Sequence, residues 1–127
     1  MHIRDYEKQV AQWCRDCFGN AIAFDTSERN FRFLEEALEL VQSLGCTKED
    51  ALQLVDYVYG REAGDPGQEV GNVMVTLAAL TAANLLGLDA SAVQELERIQ
   101  KPEIVDKIRS KHLSKSHPGP LPGNLKA

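Results

Sequence analysis

Residues 70–88, VGNVMVTLAALTAANLLGL, contain no charged side chain, and their reading decides the fold. The run just reaches the length of a membrane-spanning helix. Against that reading, Asn72, Thr76, Thr81, Asn84 and two glycines interrupt it, and no Lys or Arg flanks it to set an orientation across a bilayer. It reads instead as the buried helix of a soluble helical protein, apolar around nearly its whole circumference. One line of side chains departs from that character. Glu69, Asn72, Thr76, Ala79 and Ala83 recur at i, i+3, i+7, i+10 and i+14, a narrow strip of polar and small groups. Small residues in such a strip also suit a close helix–helix crossing. A buried, ionised Glu69 would still need an ion pair, hydrogen bonds or a metal.

Working outward, the punctuation is helical throughout. Residues 3–18 form an amphipathic run that stops at Gly19, followed by the linker GNAIAFDTS. A second helix is predicted from Thr26 or Ser27 to Leu44, with Gly45 as its stop. Thr47-x-x-Asp50 resembles a capping box for a third, ending at Gly60, and GREAGDPGQ then reads as a loop. The fourth helix is predicted over about 68–86, stopping at Gly87, and Ser91-x-x-Gln94 caps a fifth. Pro102 either breaks that helix or opens a continuation to about 114. The closing HPGPLPGN is Pro- and Gly-rich and reads as extended or disordered. No strand alternation, repeat or heptad series is apparent. The fold class is therefore all-α, an antiparallel helical bundle over residues 1–116 with a tail over 117–127.

A chain of 127 residues is one domain by length and buries enough surface to hold a core. The net charge of −5 hides an asymmetry: residues 1–97 carry −10 and residues 98–127 carry +5. The acidic body disfavours nucleic acid as a partner. Cys14, Cys17 and Cys46 are odd in number, and the N-terminus has no apolar h-region, so free thiols and a cytoplasmic location are expected. WCRDC holds a single CxxC without a second pair or a nearby His at zinc spacing. No P-loop, HExxH or GxSxG sequence is present.

The second helix carries the chemistry. Phe31, Phe33, Leu34, Ala37, Leu38, Leu40, Val41 and Leu44 fill about half its circumference. Glu35, Glu36 and Glu39 cluster on the other half beside Arg32. Such acidic clusters are usually just solvated, and this helix alone favours that reading. Set beside the strip of Glu69 and Asn72, it suggests more. Carboxylates at i, i+3 on facing helices recur as metal sites inside bundles, and all-oxygen ligands suit Mg²⁺ or Mn²⁺.

These residues resemble the all-α nucleoside triphosphate pyrophosphohydrolases, the MazG-like and dimeric dUTPase superfamily. Glu35-Glu36-Ala37-Leu38-Glu39 matches that family's EExxE, and Glu69-Val70-Gly71-Asn72 matches its ExxD except at the last position. KIRSKHLSKSHPGPLPG is similar to its basic segment ending in Leu-Pro-Gly. The stretches WCRDCFG, ERNFRFLEEALELVQSLGCT, VDYVYGR and QEVGNVMVTLAAL look like a phage and bacterial branch described as dATP/dGTP pyrophosphohydrolases. The likeness spans about residues 10–122.

The resemblance implies hydrolysis of a nucleoside triphosphate, of purine type, to the monophosphate and pyrophosphate in a bacterial or phage-infected cell. It implies two or three Mg²⁺ or Mn²⁺ ions held by Glu36, Glu39 and Glu69, with Glu35 orienting or deprotonating the attacking water or joining the metal shell. Whether Asn72 or Glu35 completes that shell is open, since Asn offers only a neutral carbonyl oxygen. Lys101, Lys107, Arg109 and Lys111 are candidates for the phosphate tail, and a solvated basic helix face is their alternative. Trp13, Phe18 and Asn30 are candidates for the base, with core packing as the alternative for the two aromatic residues. A homo-oligomer built from dimers would cover the apolar fourth helix. Two other readings stand: a dUTPase or broad house-cleaning enzyme of the same superfamily, and a non-catalytic helical adaptor.

Overall fold

The computed structural model describes residues 1–113 and 119–121, so the predicted tail over 117–127 lies almost wholly outside the described residues. The described chain is helical: α1 (Ile3–Ala23), α2 (Thr26–Ser43), α3 (Lys48–Tyr59), α4 (Pro66–Ala83), α5 (Leu88–Ile99) and α6 (Pro102–Leu113). No strand occurs among these residues. They form two compact units, one of residues 1–37 with 92–127, the other of residues 38–91.

In the first unit α1 packs along α6. Its helix does not end at Gly19 as predicted. The chain kinks there, with Gly19 at φ 79°, ψ 165°, and stays helical to Ala23. A positive φ of this size suits glycine because no Cβ clashes with the backbone. A kink deprives the carbonyls of the preceding turn of their regular partners, and Arg109 of α6 donates to one of them, from Nε to the Asp16 carbonyl at 2.9 Å. Two further bonds join α1 to the α5 segment: the Tyr6 hydroxyl donates to the Ala92 carbonyl at 2.9 Å and Trp13 Nε1 to the Ile99 carbonyl at 2.8 Å. Burial, and secondarily the nearby Glu95 charge, pushes the Tyr6 hydroxyl above its usual pKa, so it stays a neutral donor. The buried apolar side chains are Cys14, Cys17, Ala23 and Leu96, and Leu96 is only 2 % exposed. The three thiols are free, as expected.

In the second unit α3 is capped as the sequence implies. Thr47 accepts from the Asp50 N–H at 3.2 Å to start α3, and Gly60 follows its last residue. Asp65 accepts from the Gln68 N–H at 3.0 Å, with Pro66 at the first position of α4. So α4 starts inside the predicted loop. It also ends early, at Asn84 with Leu85 at φ 55°, rather than at Gly87. Asn84 bonds to the Leu80 carbonyl twice, through its backbone N–H at 3.2 Å and its side-chain amide at 2.9 Å, which reinforces the end of the helix there. Released there, the chain re-enters helix at Leu88, three residues before the predicted cap at Ser91. Pro102 opens α6 rather than only breaking α5.

The largest departure concerns burial. The sequence predicts a buried α4, yet Val70 and Val75 are 66 % and 69 % exposed, and Thr81 is its one buried residue. Neither α2 nor α3 has a buried residue. Leu52, Val55 and Tyr59 of α3, at i, i+3 and i+7, are likewise exposed. No single helix among the described residues is long and apolar enough to cross a membrane; α4 and α5 pass that test only as a pair bent by 103°.

Candidate metal centre

Glu69 sits in the first turn of α4, where its charge complements the helix dipole. Its carboxylate is oriented from one side. Asn72, one turn on, donates Nδ2 to Glu69 Oε1 at 2.8 Å. On the other side Gly64 gives it room: a Cβ there would stand 3.3 Å from Glu69 Oε2. Since Nδ2 is spent on Glu69, the Asn72 carbonyl oxygen is the atom left to face a cation. The next position of the strip, Thr76, turns its hydroxyl back to the Asn72 backbone carbonyl at 2.9 Å. Glu69, Asn72, Thr76, Ala79 and Ala83 are all exposed, so within one chain no desolvation penalty forces Glu69 to find a metal.

On α2, Glu35 is half-buried and Glu36 and Glu39 are exposed. Arg32, seen in the sequence only as a neighbour, organises part of this face. Its Nη1 donates to Glu35 Oε1 at 3.0 Å, and its Nε lies 3.4 Å from Glu28 Oε1, an ion pair without a well-directed hydrogen bond. Its remaining terminal nitrogen donates to the Pro120 carbonyl. One oxygen of Glu35 is therefore engaged by a guanidinium, which competes with a role toward water or metal. Glu39 lines a shallow groove of about 280 Å³ with Leu38, Gln42, Cys46, Thr47 and Ala51.

Oxygen donors of this kind suit a hard divalent cation. Among the described residues, however, no group of three His, Cys, Asp or Glu side chains is placed to hold one. Glu69 and Asn72 are joined by a hydrogen bond, and among the described residues Glu69 belongs to no such group of three.

The residues considered for the base separate. Trp13 and Phe18 meet edge to face with ring centroids 6.0 Å apart, and Phe18 meets His112 at 5.1 Å. Arg29 lies over the Phe18 ring at 5.3 Å. Both aromatic residues are half-buried and tie α1 to the α5–α6 segment, the packing role. Asn30 is exposed on α2. The basic residues also separate. Lys101 caps α6 through its carbonyl, which accepts from the Ile104 and Val105 N–H groups at 3.0 Å. Arg109 is committed to the Asp16 carbonyl, and Lys107 and Lys111 are exposed on α6. Arg109→Ala is expected to lower stability by about 1 kcal/mol in urea unfolding, with Lys107→Ala within about 0.5 kcal/mol of the unmodified protein. Equal stabilities for the two variants would remove the clamp at the kink.

Tyr59 and Arg61 belong to VDYVYGR, a stretch to which the sequence alone assigns no chemical role. The structure places them beside Glu69. Val58, Tyr59, Arg61, Gly64, Pro66 and Glu69 line an open groove of about 570 Å³. The signal in the sequence is an aromatic residue at a helix end with an arginine just past it, ahead of the candidate ligand. No family model matches the chain, and neither a curated protein nor a solved structure matches it significantly. The likeness to the pyrophosphohydrolases thus rests on the motif residues themselves.

Proposed function

We propose that this protein is a metal-dependent nucleoside triphosphate pyrophosphohydrolase of the MazG-like type, acting on a purine (deoxy)nucleotide. The observation that carries the reading is the hydrogen-bonded pair Glu69–Asn72 on α4, the ExxN counterpart of the EExxE on α2. Glu36, Glu39 and Glu69, with the Asn72 carbonyl, would hold Mg²⁺ or Mn²⁺, which would neutralise phosphate charge and acidify a bound water. Glu35 would orient that water through its second oxygen, since Arg32 holds the first. Lys107 and Lys111 of α6 would contact the polyphosphate.

Assembly belongs to the same reading. Apolar side chains recur at helical spacing on α3 (Leu52, Val55) and α4 (Val70, Val73, Met74), all exposed in the single chain. Surfaces of this kind are normally covered by a partner. A second copy covering them completes an antiparallel bundle, returns the Glu69 strip to a buried setting and brings further carboxylates to it.

The test is release of pyrophosphate from dGTP, dATP, dUTP and dCTP with Mg²⁺ or Mn²⁺. Preferential cleavage of the purine nucleotides is expected. A pyrimidine preference replaces the substrate with that of a dUTPase or house-cleaning enzyme. No pyrophosphate from any nucleotide with either ion leaves a helical adaptor.

A further inference from the structure

We propose that the groove at the start of α4 is the nucleotide subsite, with the base stacked on Tyr59 and Arg61 bonded to the phosphates. The proposal rests on the pyrophosphohydrolase reading and adds to it two residues from α3 and the loop that follows.

Tyr59 is the last residue of α3 and is 83 % exposed. An aromatic ring so placed contributes little to folding and offers a π-face that any base can use. Arg61, two residues on, has its guanidinium 4.3 Å from the centroid of the Tyr57 ring. Stacking of this kind fixes the plane of the guanidinium and leaves its N–H edge to meet an oxyanion, which it recognises in a two-pronged fashion. Between them and Glu69 lies open space of about 570 Å³, within the range of small-ligand sites. The loop that walls it is held by Asp65 capping α4, and Gly64 leaves room there for the Glu69 carboxylate. One groove thus joins an aromatic face, a pre-oriented cation and a carboxylate with a neighbouring amide. Those are the three recognition chemistries that a metal-bound nucleoside triphosphate requires. Because stacking is tolerant of base identity, Tyr59 contributes affinity, more for the larger purine ring system, and leaves base choice to other groups.

The test uses Tyr59→Trp in the full chain, a change the exposure of the site tolerates. The unmodified protein has one tryptophan, Trp13, which serves as the background. The probe is the α,β-methylene analogue of dGTP with Mg²⁺, which resists cleavage at the bond in question. Expected are saturable quenching of the emission from the introduced indole, unchanged Trp13 emission in the unmodified protein, and a Kd raised roughly tenfold or more in Tyr59→Trp/Arg61→Ala. Inorganic triphosphate should compete for binding without quenching. Absent quenching, quenching of Trp13 instead, or a Kd unaltered by Arg61→Ala each overturns the subsite. If pyrophosphate release persists in that case, the enzymatic reading stands without it. If the unmodified protein neither binds the analogue nor releases pyrophosphate, both fall together.

Discussion

Glu36→Gln is expected to lower pyrophosphate release by roughly 100-fold or more, the size of effect seen when a metal site loses a ligand or its close support. Glutamine keeps the shape and one carbonyl oxygen but removes the negative charge, so the metal concentration for half-maximal rate should rise as well. Helix propensity barely separates Glu from Gln, and Glu36 is exposed on α2, so the fold should survive. Asn72→Asp works in the opposite direction. It adds a carboxylate one turn from Glu69 and should lower the metal concentration required. Activity within about threefold of the unmodified enzyme in Glu36→Gln would take Glu36 out of the metal shell. An Asn72→Asp variant needing more metal would show that Asn72 serves to orient Glu69 rather than to face the cation.

Leu96→Ala has the largest expected effect on stability, about 2–5 kcal/mol, from lost transfer free energy and the cavity left behind. Among the described residues Leu96 is the one large side chain almost wholly shielded, at 2 % exposure, in a unit whose other buried apolar groups there are two cysteines and an alanine. Urea unfolding measured by circular dichroism checks it. A cost below about 1 kcal/mol would mean that the first unit relaxes around the cavity, or that its stability is supplied elsewhere.

The helices were legible at several ends that a local device sets, though the Asp65 cap of α4 was read as loop. Gly45 at φ 93°, Thr47 with its hydroxyl on the Asp50 N–H, Gly60 and Pro102 all act where the sequence places them. Misreadings fall where two local signals compete or where a distant group intervenes. Gly19 looks like a stop and is a kink, the chain running on helically to Ala23 while Arg109, about ninety residues away in sequence, takes the Asp16 carbonyl below it. Gly87 looks like the end of α4, but Asn84 acts first by bonding back to Leu80. In the candidate site, the i, i+3 pairing of Glu69 with Asn72 was readable because helical spacing alone brings the two side chains together. Arg32 holding Glu35 was readable on the same ground, but its further bond to Pro120 was not, because it joins residues 88 positions apart.

What the amino-acid sequence determines by itself is therefore local: an all-α chain, the capped ends of most helices, and the acidic residues that share a helix face. Propensity, caps and 3.6-residue periodicity act within a few residues and need no tertiary partner. Only the tertiary structure decided which of these faces is covered. Trp13 and Phe18 went into packing through the Ile99 carbonyl and His112, while Val70, Val75 and Tyr59 stayed in solvent. Periodicity tells that a face is apolar; burial depends on which other surface, of this chain or another, takes it out of water. The groove of Tyr59, Arg61 and Glu69 has the same origin. It exists because the turn after α3 folds back on the first turn of α4, an arrangement that no single helix encodes.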